Sequence, residues 1–237
     1  MNNLKILLCD PRHDTVGAHS NYVPIGIGYI ASHLISELNK EKIYIEVKLS
    51  TSPKEIHNII EEWKPNVVGS SNYIWNSELS KQICNHAKLQ NNQTLCVLGG
   101  PEFPAGTGQT KIVNNELDAT YDKSLKYLQD RESVDFYTYC DGETAFLEII
   151  KIFLKNNCTI SKLKKDEIII NGSVKLSENK QKLLVGKYID RIGIKGSIKA
   201  AGRDVIPSPY TTKLLDKFLD GSFVPAFETA RGCPFKC

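Results

Sequence analysis

Hydrophobic and polar positions change period repeatedly along the first 156 residues. Short, mostly apolar runs, such as LKILLC at 4–9 and LCVLG at 95–99, alternate with segments whose apolar residues recur every three or four positions. Runs of that length suit strands buried on both faces, and the longer period suits amphipathic helices. The pattern therefore predicts a parallel sheet with helices on both sides. Strands are expected at 4–9, 43–49, 67–71, 95–99 and 134–140. Between and after them, four apolar stripes predict helices: Tyr29, Ile30, His33, Leu34 and Leu38; Ile56, Ile59, Ile60 and Trp63; Leu79, Ile83 and Ala87; Phe146, Ile149, Ile150 and Phe153. The fold class is α/β, a Rossmann-like (flavodoxin-like) five-stranded doubly wound parallel sheet over residues 1–156.

Two stretches break the alternation. The connection from Gly99 to Val134 is long, and YDKSLKYLQDR within it reads as an extra helix. After Asn156, DEIIINGSVKLSE places two β-type runs around Asn171-Gly172, a turn pair that tolerates positive φ, so residues 157–203 are expected to hold a β-hairpin appendage and linker. VIPSPY then forces an extended stretch, and 204–237 reads as an extended connector.

Composition narrows the partners. The 237 residues are 41% hydrophobic, enough for a packed core, with 30 lysines and arginines against 27 acidic residues spread along the chain. No basic stripe predicts nucleic acid. No apolar run reaches the roughly 20 residues that span a bilayer, and MNNLKILLCDPRHD meets charge too early for a secretory signal, so a cytoplasmic location and no membrane partner are expected. Five of the seven cysteines lie in strand, helix or loop patterns and read as free thiols. Cys233 and Cys237 alone form a close pair.

In an open parallel sheet the ligand lies beyond the carboxyl ends of the strands. After the first predicted strand Pro24, Gly26 and Gly28 lead into a helix, where backbone N–H groups can approach an anion. After the third comes GSSNYIWN, after the fourth GGPEFPAG, and after the fifth DGETAF. Singly, each is an ordinary turn or helix cap. Together, small residues after four strands outline a broad slot for a flat or elongated ligand with a polar tail.

YVPIGIGYIASHL, VVGSSNYIWN, LGGPEFPAG and VDFYTYCDGETAFLEII, in this order, resemble the cobalamin-binding domain that precedes the catalytic barrel in cobalamin-dependent radical SAM enzymes. IPSPYTTKLLDKFLDGSFVPAFETARGCPFKC resembles the segment leading into that barrel, so 204–237 would hold the connector, the first barrel strand at PAFETA and the start of the cluster loop with its opening cysteine motif. The resemblance implies that cobalamin sits with its nucleotide tail running down into the sheet. Pro24, Gly26 and Tyr29 would lie near the corrin and tail, and Ser70, Ser71 and Asn72 would line the tail slot. Gly99, Gly100, Pro101 and Glu102 would flank the nucleotide base, and Asp141, Gly142 and Glu143 would close the far edge. Other cobalamin proteins ligate the lower cobalt face through Asp-x-His-x-x-Gly. Asp10, His13 and Gly17 carry one extra residue in each interval, and radical SAM relatives usually lack this ligand, so His13 or His19 is a minor candidate.

The family's Cys-x-x-x-Cys-x-x-Cys holds a 4Fe–4S cluster whose fourth iron binds S-adenosylmethionine. Cys233 and Cys237 match its first two cysteines, and the third would fall three residues past Cys237. The resemblance thus implies a piece of a longer protein, cut within the motif. The missing barrel would be its intramolecular partner, no catalytic residue would lie in the piece itself, and the complete enzyme would perform methyl transfer or another radical reaction. Two other readings stay open: a flavodoxin-like or receiver-type regulatory domain, and a radical SAM accessory domain that has lost cobalamin. Against the former, the first strand ends without a hydroxyl-rich phosphate loop, and Asp10 lacks an adjacent acidic residue.

Overall fold

The computed structural model describes residues 3–13, 21–104, 119–139, 141–187 and 206–228. Five parallel strands form where the apolar runs lie: β1 (Leu4–Cys9), β2 (Ile45–Ser50), β3 (Val67–Ser71), β4 (Leu95–Gly99) and β5 (Phe136–Thr138). The intervening helices are α1 (Ile25–Lys40), α2 (Pro53–Trp63), α3 (Ser77–Gln90) and α4 (Ala119–Gln129); α5 (Gly142–Lys155) and the one-turn α6 (Ile160–Leu163) follow. The sheet runs β2-β1-β3-β4-β5 and continues into β6 (Ser173–Leu176) and β7 (Leu183–Val185), each antiparallel to its predecessor.

The period-two geometry of strands divides the core. Leu4, Ile6 and Leu8 of β1, with Leu95 and Val97 of β4, pack on the face covered by α1 and α5. Leu7, Cys9, Cys96 and Leu98 pack on the opposite face, against Ile56 and Ile60 of α2 and Ile83 and Ala87 of α3. The described segment 206–228 is docked rather than free. Leu215 and Phe218 join the first cluster, Ser32 of α1 donates to the Pro207 carbonyl, and the Val23 N–H donates to Val224 at 2.9 Å. Among the described residues no helix is long and apolar enough to cross a membrane.

Three boundaries differ from those the sequence predicts. The Ile43 N–H donates to Leu38 at the end of α1, which delays β2 to Ile45. The Val134 N–H donates back to Arg131, so the chain is still turning where a strand is expected; Cys140 lies outside the described residues. The hairpin turns at 177–182 rather than at Asn171-Gly172, and it extends the main sheet rather than standing apart. Ser177 and Asn179 close that turn. Asn179 Oδ1 accepts from the Ser177 hydroxyl at 2.7 Å and the Gln181 N–H at 3.1 Å, while the Lys182 N–H donates to Ser177 Oγ at 3.1 Å. Gly172, at φ 76°, instead lies just before β6 and donates its N–H to Lys187 beyond β7.

Lys175 of β6 is 3% exposed, and its Nζ donates to the Leu163 and Lys165 carbonyls at 2.6 Å each. Burial pulls its pKa from 10.5 down to about 8; a neutral amine still has the two N–H donors these carbonyls need. Between those values the unfolded chain holds a proton that the native state has released, so this group makes stability rise with pH. The stability difference between Lys175→Met and wild type should therefore move toward wild type from about pH 7 to about pH 10 in urea denaturation. A pH-independent difference would show that Lys175 stays charged.

Candidate functional site

In the order β2-β1-β3-β4 the connection after β1 runs to β2 on one side and the connection after β3 runs to β4 on the other, so a crevice must open between the carboxyl ends of β1 and β3. A cavity of about 250 Å³ occupies that position. Leu8, Val97 and Phe146 form its apolar floor. The carboxyl ends of β3, β4 and β5 bring Ser70, Ser71, Gly99, Gly100 and Thr138 to it, α1 brings Gly26, Ile27 and Ile30, and the start of α5 brings Asp141, Gly142 and Glu143.

The wall between β3 and β4 leaves no room for side chains. A Cβ on Gly99 would stand 2.2 Å from Thr138 Oγ1, and one on Gly100 would stand 2.4 Å from the Asn72 carbonyl oxygen. That backbone is held from behind. The Asn72 N–H donates to Gly99 at 2.7 Å, Glu102 N–H donates to Asn72 at 3.3 Å, and the Tyr137 hydroxyl donates to Gly100 at 2.9 Å. Burial raises the Tyr137 pKa, so the hydroxyl keeps its proton. Asn72 Nδ2 reaches the hydroxyls of Tyr127 at 2.5 Å and Tyr137 at 3.1 Å, and Phe103 stacks on Tyr137 with ring centroids 4.7 Å apart.

A second network ties the loop after β1 to the loop after β3. The Ser71 hydroxyl donates to Asp10 Oδ1 at 2.6 Å, Arg12 pairs with Oδ2 at 3.0 Å, and Asn76 Nδ2 donates to Ser71 Oγ at 3.2 Å and the Pro11 carbonyl at 3.1 Å. Ser70 donates to Ser80 of α3 at 3.1 Å, and Ser80 to the Ser71 carbonyl at 2.7 Å.

The lining is chemically two-ended. Asp10, Asp141 and Glu143 are carboxylates, and among the described residues no lysine, arginine or histidine lines the cavity. The first turn of α1 carries no acidic residue and meets the cavity at Gly26, so its N–H groups and dipole give this corner the opposite preference. The site therefore suits a ligand with neutral N–H or O–H donors along most of its length and one anionic group near α1.

Of the residues the sequence singles out, Gly26, Ser70, Ser71, Gly99, Gly100, Asp141, Gly142 and Glu143 line the cavity. Pro24, Tyr29, Asn72, Pro101 and Glu102 lie outside its lining. Pro24 precedes α1, Tyr29 is half-buried on it, and Asn72 is fully buried behind the glycine wall. His13 Nε2 donates to the Trp75 carbonyl at 2.7 Å, so that nitrogen is engaged; His19, Gly17, Cys233 and Cys237 lie outside the described residues. Thr138 is not among the residues expected from sequence, because the predicted strand runs past it. Neither is Tyr73, which lines the cavity and stacks on Trp75 at 4.6 Å between centroids; Trp75 is 60% exposed.

The chain is similar in structure to the cobalamin-dependent S-adenosylmethionine radical enzyme OxsB solved with aqua-cobalamin and S-adenosylmethionine bound. The TM-score is 0.60 at 15% sequence identity, and the match covers 97% of this chain and 27% of that one. OxsB solved with aqua-cobalamin bound gives 0.59 at 16% identity, covering 98% and 27%. The chain thus spans 27% of the length of these proteins, and similarity at this identity establishes a shared fold. No family model and no curated protein sequence matches it.

Proposed function

We propose that this chain is the cobalamin-binding part of a cobalamin-dependent radical SAM enzyme. The observation that carries the reading is the slot at the switch point with one wall of bare Gly99-Gly100 backbone, carboxylates along one side and the start of α1 at the other. Cobalamin matches that division: its corrin rim bears neutral primary amides, and a single phosphodiester links it to a slim nucleotide tail. Asp141 and Glu143 would accept from amides or ribose hydroxyls. The phosphodiester would lie near Gly26, and the tail would pass between Ser70 or Ser71 and Gly99-Gly100. The exposed Tyr73–Trp75 stack offers a flat apolar surface beside the mouth. Asn72, Pro101 and Glu102 would act indirectly, holding the backbone of that slot, while Pro24 and Tyr29 would set the entrance of α1.

When bound, cobalamin would supply a cobalt centre that can carry a methyl group or exchange single electrons. The residues of this chain bind the cofactor, orient it and keep water from its tail. In the longer protein Cys233 and Cys237 would be two of the three thiolate ligands of a 4Fe–4S cluster that binds S-adenosylmethionine. The fold similarity to OxsB with aqua-cobalamin bound supports the family reading.

The test is incubation with hydroxocobalamin, desalting and a visible spectrum. A coloured protein with about one cobalamin per chain is expected. A colourless protein, or one that retains flavin instead, would overturn the reading.

A further inference from the structure

At the other end of the sheet, on the face away from the cavity, α2 and α3 bring three ligating side chains together. His57 and Glu61 are four residues apart and share one face of α2. His86 reaches them from α3, which packs beside α2 over the second core cluster. His57 Nε2 lies 3.2 Å from Glu61 Oε1, and His86 Nε2 lies 3.8 Å from the same oxygen. The three ligand atoms are all within 4.8 Å of one another. In a tetrahedral site with metal–ligand bonds of about 2.0–2.1 Å, ligand atoms stand about 3.3 Å apart, close to the His57–Glu61 separation of 3.2 Å and reached from the His86–Glu61 separation of 3.8 Å by a small inward shift.

An i,i+4 His–Glu pair alone is a common surface contact. Two further observations go beyond it. The His57 and His86 rings stack at 4.1 Å between centroids, which keeps the imidazole of α3 beside that of α2, and both Nε2 atoms lie near the Glu61 carboxylate. The His86 Nε2 is itself buried and has no hydrogen-bond partner among the described residues. A polar atom withheld from water beside two other ligands is satisfied by a metal ion once one of the near-parallel rings, 19° apart, turns about its Cβ–Cγ bond so that both lone pairs face the ion.

We propose that His57, Glu61 and His86 form a binding site for a borderline divalent transition metal, Zn²⁺ or one of its neighbours, that clips α2 to α3. Two imidazoles and one carboxylate suit that class better than Mg²⁺ or Ca²⁺, which take all-oxygen shells. Three protein ligands leave one position for water. This site does not rest on the cobalamin reading. Glu61 and His86 lie in the C-terminal halves of helices that run antiparallel to the strands, hence toward the amino-terminal edge of the sheet, and metal and cobalamin should bind independently.

The experiment uses the full chain with Cys233→Ser and Cys237→Ser, which removes the terminal thiols as competing ligands. Titration with Co²⁺ should give a visible spectrum without a thiolate charge-transfer band, saturating at one ion per chain and displaced by Zn²⁺. His57→Gln, Glu61→Gln and His86→Gln should each weaken binding by at least about 10-fold, since even outer-shell partners of metal ligands contribute that much. Zn²⁺ should raise the melting temperature of the parent and not of the His86→Gln variant. All three positions are on helix surfaces, and circular dichroism checks that the variants fold. Undiminished Co²⁺ affinity in the three variants, or no saturable binding by the parent, would overturn the proposal.

Discussion

Replacing Gly26 by tryptophan should leave the fold as stable as wild type and weaken hydroxocobalamin binding by at least about 100-fold, equivalent to about 2.7 kcal/mol. A Cβ at this position meets nothing within 4 Å, and the residue is already in the first turn of α1. The protein thus accepts a side chain there without repacking, and replacing glycine in a helix by any residue except proline costs nothing in backbone entropy. The open space in question, however, is the α1 corner of the cavity, where the proposed phosphodiester would lie. An indole ring there would fill the approach to the slot and cover the helix N–H groups. Equilibrium dialysis and a thermal melt on the same preparation measure the two quantities. Gly26→Ala, too small to block the slot, should bind within a few-fold of wild type. If Gly26→Trp held hydroxocobalamin as wild type does, the ligand would not use this corner.

The parts of this architecture that depend on neighbours in sequence are legible in the amino-acid pattern. Val67–Ser71 and Leu95–Gly99 are buried almost throughout, so neither contains a charged or large polar residue and both are legible as short buried strands. The loops after them follow directly, as do eight of the residues that line the cavity. What the pattern does not carry depends on residues far apart in the chain. Asn72 continues the run of small polar residues Ser70-Ser71, yet its side chain turns away from the cavity because Tyr127 and Tyr137, 55 and 65 positions later, offer it hydroxyls. The hairpin shows the same limit. Asn171-Gly172 has the stronger turn signal, but the winning turn is the one whose Ser177 and Asn179 satisfy its own backbone, leaving β6 free to pair with β5. Similarly, His57 and Glu61 are visibly four apart, while nothing in the sequence places His86 against them.

The glycine wall supplies the largest expected effect on stability. Gly100 has φ 139°, where a side chain is strained whatever the space around it, and its Cβ would stand 2.4 Å from a backbone oxygen. Asn72, which carries that oxygen, is held by its hydrogen bonds to Gly99, Glu102, Tyr127 and Tyr137, so it cannot retreat without breaking several of them. Gly100→Ala should therefore destabilise the protein by about 3 kcal/mol or more in urea denaturation, with an unchanged m-value. Gly99→Ala presents a contrasting case. Its Cβ would strike Thr138 Oγ1 at 2.2 Å, but the Thr138 Cβ is 3.6 Å away, so the obstacle is one hydroxyl on a side chain. Thr138→Ala should thus recover most of the stability lost in Gly99→Ala, giving a double-mutant coupling of about 1 kcal/mol or more, whereas it should recover none of the loss in Gly100→Ala. Because the wall also sets the width of the slot, the doubly substituted Gly99→Ala/Thr138→Ala protein should fold and yet bind hydroxocobalamin more weakly than wild type. Rescue of Gly100→Ala by Thr138→Ala would mean that the two glycines yield to one shared movement of β5 rather than to two separate obstacles, one made of side chain and one of backbone.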